Sequence, residues 1–175
     1  MGNLLFSPSG RISTAAFMRG AYILIAVGAV IALSSIVSTT LGTLLGIVSL
    51  VTYYCWVVLF VKRYHEGGQS GWMSLVPISI YIVLGLIMLF FVFGGSFLDA
   101  IRAGLEAAET GASQAEQSEV IEEAMMAGMG GTGLYLKSAI SGALLSFVIA
   151  FAFNKVIPVD PGDNQYGPSG NAYTV

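Results

Sequence analysis

The sequence predicts an all-α integral membrane protein with four transmembrane helices, and three observations predict it. Of the 175 residues, 55% are hydrophobic and only 10% charged, against roughly 25% charged in an ordinary soluble domain. So little charge cannot clothe a globule in water, and the mean hydropathy of +0.80 places the apolar surface against lipid. The apolar residues are also gathered into long uncharged stretches, separated by short polar or glycine-containing breaks.

The elements follow in order. No charge occurs between Arg19 and Lys62, a run of 42 residues. As helix it would be about 63 Å long, or two crossings of a ~30 Å hydrocarbon core. Ser38-Thr39-Thr40-Leu41-Gly42 is the natural break. It predicts helices over 20–37 and 43–61. The first run is long for a signal peptide and no A-x-A-like site follows it, so a retained helix is expected. A third uncharged stretch predicts a helix over 72–93, with Pro77 in its first turns as a candidate bend. The fourth, over 134–154, has Lys137 in its first turn and Lys155 just after it, whose ammonium groups can snorkel to the interfaces.

Residues 95–133 differ from the spans and hold six of the seven glutamates. Phe97, Leu98, Ile101, Leu105 and Ala108 recur at helical spacing. Ser96-Phe97-Leu98-Asp99 and Ser113-Gln114-Ala115-Glu116 read as capping boxes, with Gly111 between them. Two short amphipathic helices, 97–109 and 114–127, are therefore expected in an acidic insertion outside the membrane. The segment 158–175 is rich in Pro, Gly, Asn and Asp and predicts a flexible tail after a single membrane domain over 1–157.

Lys and Arg counts set the expected orientation. With the N-terminus inside, Arg11, Arg19, Lys62, Arg63 and Lys155 are cytoplasmic, and only Arg102 and Lys137 lie outside. Both termini are then cytoplasmic in a bacterial inner membrane. The net charge of −3 gives no footprint for nucleic acid. The expected partners are the bilayer, anionic headgroups near the basic residues, and a second copy or another membrane protein.

One loop concentrates candidate chemistry. Lys62-Arg63-Tyr64-His65-Glu66 leads through glycines to Ser70-Gly71-Trp72. His65 titrates near neutrality and a carboxylate can orient it, which invites an acid–base role. The competing reading is a loop brace, with Glu66 capping backbone N–H groups or pairing with Arg63. Gly68-Gln69-Ser70-Gly71 lacks the spacing of a nucleophile elbow, so Ser70 reads as a helix N-cap and Trp72 as an interfacial anchor. Gly128-Met129-Gly130-Gly131-Thr132-Gly133 has the form of a dinucleotide fingerprint but lacks the preceding strand and distal acid, so it reads as a link into the fourth helix. One Cys and one His cannot furnish a standard zinc site, and Met125, Met126 and Met129 read as packing, so neither metal nor cofactor is expected.

Apart from Lys137, which sits in the first turn of the fourth span and can snorkel, no Asp, Glu, Lys, Arg or His occurs within the spans, which argues against proton-coupled transport. Tyr54, Tyr81 and Ser146 fall at one depth and predict a shared hydrogen-bonded layer. Gly42 and Gly46, and Ser138, Gly142 and Ser146, form small-residue stripes that serve contacts within the chain or between chains.

Three segments in order carry a family resemblance: Phe6-Ser7-Pro8-Ser9-Gly10-Arg11-Ile12-Ser13, Lys62 to Trp72, and Gly162-Asp163-Asn164-Gln165-Tyr166-Gly167-Pro168. Together the chain resembles the YhaH-like inner-membrane proteins of domain-of-unknown-function family 805, small bacterial multi-pass proteins. Glu66 stands where that family usually has Asp, and Tyr64 where Leu is common. The resemblance implies no particular activity. In a four-span chain the three segments share one side, so Arg11, Lys62, Arg63, His65, Glu66, Ser70, Trp72, Asn164, Tyr166 and Gly167 are the candidate cluster. The leading expectation is a non-enzymatic scaffold or lipid- and envelope-sensing protein. A small-solute channel or carrier comes second, and an enzyme using His65 and Glu66 third.

Overall fold

The computed structural model describes residues 2–129 and 131–168. The chain is an all-α integral membrane protein. Its helices are α1 (Gly2–Leu5), α2 (Thr14–Val37), α3 (Thr39–Glu66), α4 (Leu75–Glu109), α5 (Gln114–Met129) and α6 (Thr132–Val156), with a 3-10 turn at Gly71–Ser74 leading into α4. Among the described residues four helices are long and apolar enough to cross a membrane: α2, α3, α4 with its leading turn, and α6.

The spans begin and end where capping chemistry allows. α2 starts six residues before the uncharged run, because Ser13 Oγ accepts from the Ala16 N–H at 3.2 Å. Arg19 is thereby carried on an exposed helical surface. The turn expected over five residues is a single extended residue, Ser38, which ends α2 and caps α3 by accepting from the Leu41 N–H at 3.4 Å. So abrupt a reversal presses Gly42 onto α2. A Cβ there would stand 2.1 Å from Ser35 Oγ and 3.0 Å from Ser35 Cα. Gly46, by contrast, faces open space.

The largest departure from expectation lies after the third span. α4 runs unbroken through Gly94, Gly95 and Ser96 to Glu109, so the helix expected over 97–109 is its continuation. Ser96 does not cap. Its side chain packs on α5, where a Cβ at Gly128 would stand 2.5 Å from Ser96 Cβ. Gly104 likewise receives Ile121, and these two close approaches zip α4 and α5 into a hairpin. α5 starts at the second expected cap. Ser113 N–H and Oγ both donate to Glu116 Oε2, at 2.7 and 2.8 Å. Pro77, in the first turn of α4, needs no N–H partner there and sits buried. Gly130 of the glycine-rich link lies outside the described residues.

The spans form an open arc in the order α3, α2, α6, α4. α2 packs on both α3 and α6, α4 packs on α6, and α4 scarcely meets α3. The core is concentrated at the end where segments 2–13 and 158–168 lie, around Phe17, Leu59, Phe60, Ile149 and Ala150. Gly20 admits Leu59 there, and Phe60 meets Phe17, Trp56 and Phe153 with ring centroids 5.2 to 6.2 Å apart. Cys55 is one of these buried packing groups.

Candidate functional site

The polar site grows from the C-terminal turns of α3. Arg11 enters beside them because Gly10, at φ 85°, turns the chain in a way that only glycine adopts without strain. Its guanidinium is buried and meets five acceptors. Nε donates to Glu66 Oε2 at 2.9 Å; Nη1 to the Gly162 and Gly167 carbonyls at 2.7 and 3.1 Å; Nη2 to the Glu66 and Asp160 carbonyls at 3.4 and 2.6 Å. A guanidinium has five N–H donors, so Arg11 is saturated. The Arg11–Glu66 ion pair is buried on both sides. Glu66 therefore pairs with Arg11, and not with Arg63 as one sequence reading had it.

Arg63 turns to the end of α6 instead. It donates to Asn154 Oδ1 at 2.8 Å and to the carbonyls of Asn154, Ile157 and Pro158 at 2.9, 2.6 and 3.1 Å. Asn154 Nδ2 in turn donates to the Thr14 carbonyl at 3.2 Å, tying α2, α3 and α6 together. Burial penalises each cation, and the oxygens at the C-termini of α3 and α6 offset it, being the negative ends of those helices. Lys62 is buried too and donates to the Asn3 carbonyl of α1.

The segment expected to be a flexible tail is fastened over 158–168. The Asp160 N–H donates to the Glu66 carbonyl at 3.0 Å, and Asn164 pairs with Gly167 in an isolated antiparallel bridge. Asn164 Nδ2 donates to the His65 carbonyl at 3.0 Å, and the Tyr166 ring stacks on His65 at 3.8 Å and 5°. Composition suggests disorder because this stretch has little to bury; backbone carbonyls and one aromatic ring hold it. Residues 169–175 lie outside the described residues.

His65 Nδ1 lies 3.1 Å from the Gly10 carbonyl and so carries the hydrogen. Glu66 is committed to Arg11, so the two side chains form no acid–base dyad. His65 Nε2 faces Gly71, whose Cβ position is 3.1 Å away, in a groove of about 430 Å³ shared by Ser70, Trp72 and Tyr166. Ser70 caps the 3-10 turn by accepting from the Trp72 N–H at 3.4 Å, and Trp72 is 79% exposed. Among the described residues no three His, Cys, Asp or Glu side chains gather as metal ligands.

The structure divides the expected intramembrane layer. Ser146 Oγ donates to Tyr81 Oη at 3.4 Å, but Tyr54 points away and donates to the Phe6 carbonyl at 3.0 Å. Its neighbour Tyr53, itself exposed, lines with Tyr81 and Ser146 a cavity of about 260 Å³ that also reaches Ser49, Thr52 and Ser138. Sequence reasoning missed Tyr53, and missed Asn154 and the carbonyls of Asp160 and Gly162. Asn154 left one signal, an uncharged polar residue just before the end of the fourth span. The carbonyls left none, since any residue supplies one.

Fold and site together define a four-span helical membrane protein whose two terminal segments are locked onto the ends of α3 and α6. The chain belongs to the family described as protein of unknown function (DUF805), which matches residues 5–168. No curated protein and no solved structure gives a match.

Proposed function

We propose that the protein is a non-enzymatic scaffold of the bacterial inner membrane that responds to lipid or envelope state at the end where Arg11 meets the 158–168 segment. One observation carries this reading: the buried charged residues of the motif segments are spent on other parts of the same chain. Arg11, Arg63 and Glu66 are buried and bonded to the chain, which suits a rigid recognition surface better than turnover. With five of seven basic residues at this end, it faces the cytoplasm. Of those five, Arg19 and Lys155 are exposed and are the ones available to anionic headgroups.

A second reading, a small-solute carrier, draws on the hydroxyl-lined cavity at Tyr53, Tyr81 and Ser146. Crosslinking in intact membranes separates the two. The scaffold reading expects specific partners, or a second copy, lost when His65 and Glu66 are both replaced by Ala, and no solute flux in proteoliposomes. Saturable flux that disappears in Tyr81→Phe would establish the carrier instead. Turnover abolished in a folded His65→Ala chain would overturn both.

A further inference from the structure

Because α4 scarcely touches α3, the arc of helices is open on one side, and a slot of about 450 Å³ runs along that opening. Its volume falls in the ~300–1,000 Å³ range of small-ligand sites. The walls are apolar, including Trp56, Phe60, Ile82 and Leu86, and on α4 they extend from Pro77 to Leu89. Those twelve steps along the helix span about 18 Å, the reach of a fatty acyl chain. Gly85 opens the middle of the slot, since a Cβ there would meet nothing within 4 Å.

A more polar groove adjoins the slot. Val57 lines both the slot and the groove at His65, Ser70, Trp72 and Tyr166. That groove holds a ring nitrogen, His65 Nε2, for which the described residues provide no hydrogen bond. No buried side-chain nitrogen or oxygen among the described residues lacks a partner, so Nε2 is accessible from the groove. With Nδ1 donating to Gly10, Nε2 of the neutral ring can only accept. An apolar slot opening to lipid, beside a groove with an acceptor that no described residue engages and an exposed interfacial indole, matches an amphiphile: one acyl chain and a headgroup bearing O–H or N–H donors.

We propose that this slot binds a membrane amphiphile, its acyl chain lying between α3 and α4 and its hydroxyl- or amine-bearing headgroup meeting His65 Nε2. The assignment rests on the reading of this end as lipid-responsive and names the lipid chemistry. The chain's two tryptophans, Trp56 in the slot and Trp72 in the groove, report on it directly.

The full-length protein in nanodiscs is titrated with trace amounts of stearoyl lysophosphatidylethanolamine brominated at mid-chain. Saturable quenching of tryptophan emission is expected, with half-saturation weakened about tenfold in Gly85→Leu, which fills the slot. His65→Phe, which keeps an aromatic ring against Tyr166, should remove the preference for this probe over brominated methyl stearate, which has no donor. Quenching that rises linearly with probe and is the same in Gly85→Leu would mean contact with bulk lipid only and would overturn the proposal. A concentration-dependent dimer that shields Trp56 from the probe would also overturn it, by giving the slot to a second copy. Partner crosslinking tests the scaffold reading separately. Unquenched Trp56 with partners retained removes only the amphiphile, and quenching with partners lost removes only the scaffold.

Discussion

Arg11 is the residue on which the polar end depends most, because its donors are matched one for one by acceptors from the end of α3 and from the 160–167 segment. Arg11→Met leaves Glu66 charged, buried and unpaired, and should cost about 3–5 kcal/mol. Thermal unfolding in detergent would measure it. Arg11→Lys should recover only part of that loss, since an ammonium has three donors and no planar fork. A full recovery would show that the forked geometry is dispensable. At His65 the expectation is local: His65→Ala removes the stack on Tyr166, and the amides of Asn164 and Gly167 should exchange faster while the spans keep their protection. The sequence made the side chains of this end legible, because Arg, His and Glu stand out against an apolar background. Their pairing was not legible. Choosing between Arg11 and Arg63 as the partner of Glu66 depends on which arginine the end of α6 captures, and that is a tertiary fact.

At the scale of elements, the uncharged runs located all four spans, since lipid imposes length and apolarity on any helix that crosses it. The boundaries shifted where a cap or a neighbour intervened. Ser13 lengthened α2, and α5 packing on Ser96 erased the break that the Ser96–Asp99 capping box had suggested. The small residues can now be tested apart. Gly42→Val should destabilise the chain by about 1–3 kcal/mol through overpacking against Ser35, whereas Gly46→Val should leave the monomer's unfolding temperature unchanged. A drop in crosslinked oligomer with Gly46→Val would assign that face to a second copy. The start of α5 depends on pH. The N–H and hydroxyl of Ser113 hold the Glu116 carboxyl below the usual carboxylate range. A group whose pKa is depressed by folding stabilises above its unfolded value and loses that contribution as pH falls through the folded one. The protection factors of the Ala115 and Glu116 amides, with intrinsic exchange divided out, should therefore fall on acidification, and Glu116→Gln should abolish that dependence.

At the scale of the whole molecule, an even number of crossings brings the two terminal segments to one end, and Arg11 joined to Gly162 and Gly167 requires it. Cysteine introduced at Gly111 should be labelled by an impermeant reagent from one side of the membrane, and cysteine at Gln165 only from the other. Labelling of both from the same side would break the four-span topology. The arginine knot also has a meaning in time. Two of the acceptors of Arg11 lie 151 and 156 residues further along the chain. While the protein is being made, Arg11 and Glu66 are in place long before those carbonyls exist. That latch therefore closes only after the last span is made and some ten further residues have emerged. A chain ending at residue 157 would insert its spans with that latch unclosed, and membrane quality control would meet it as an unfinished product.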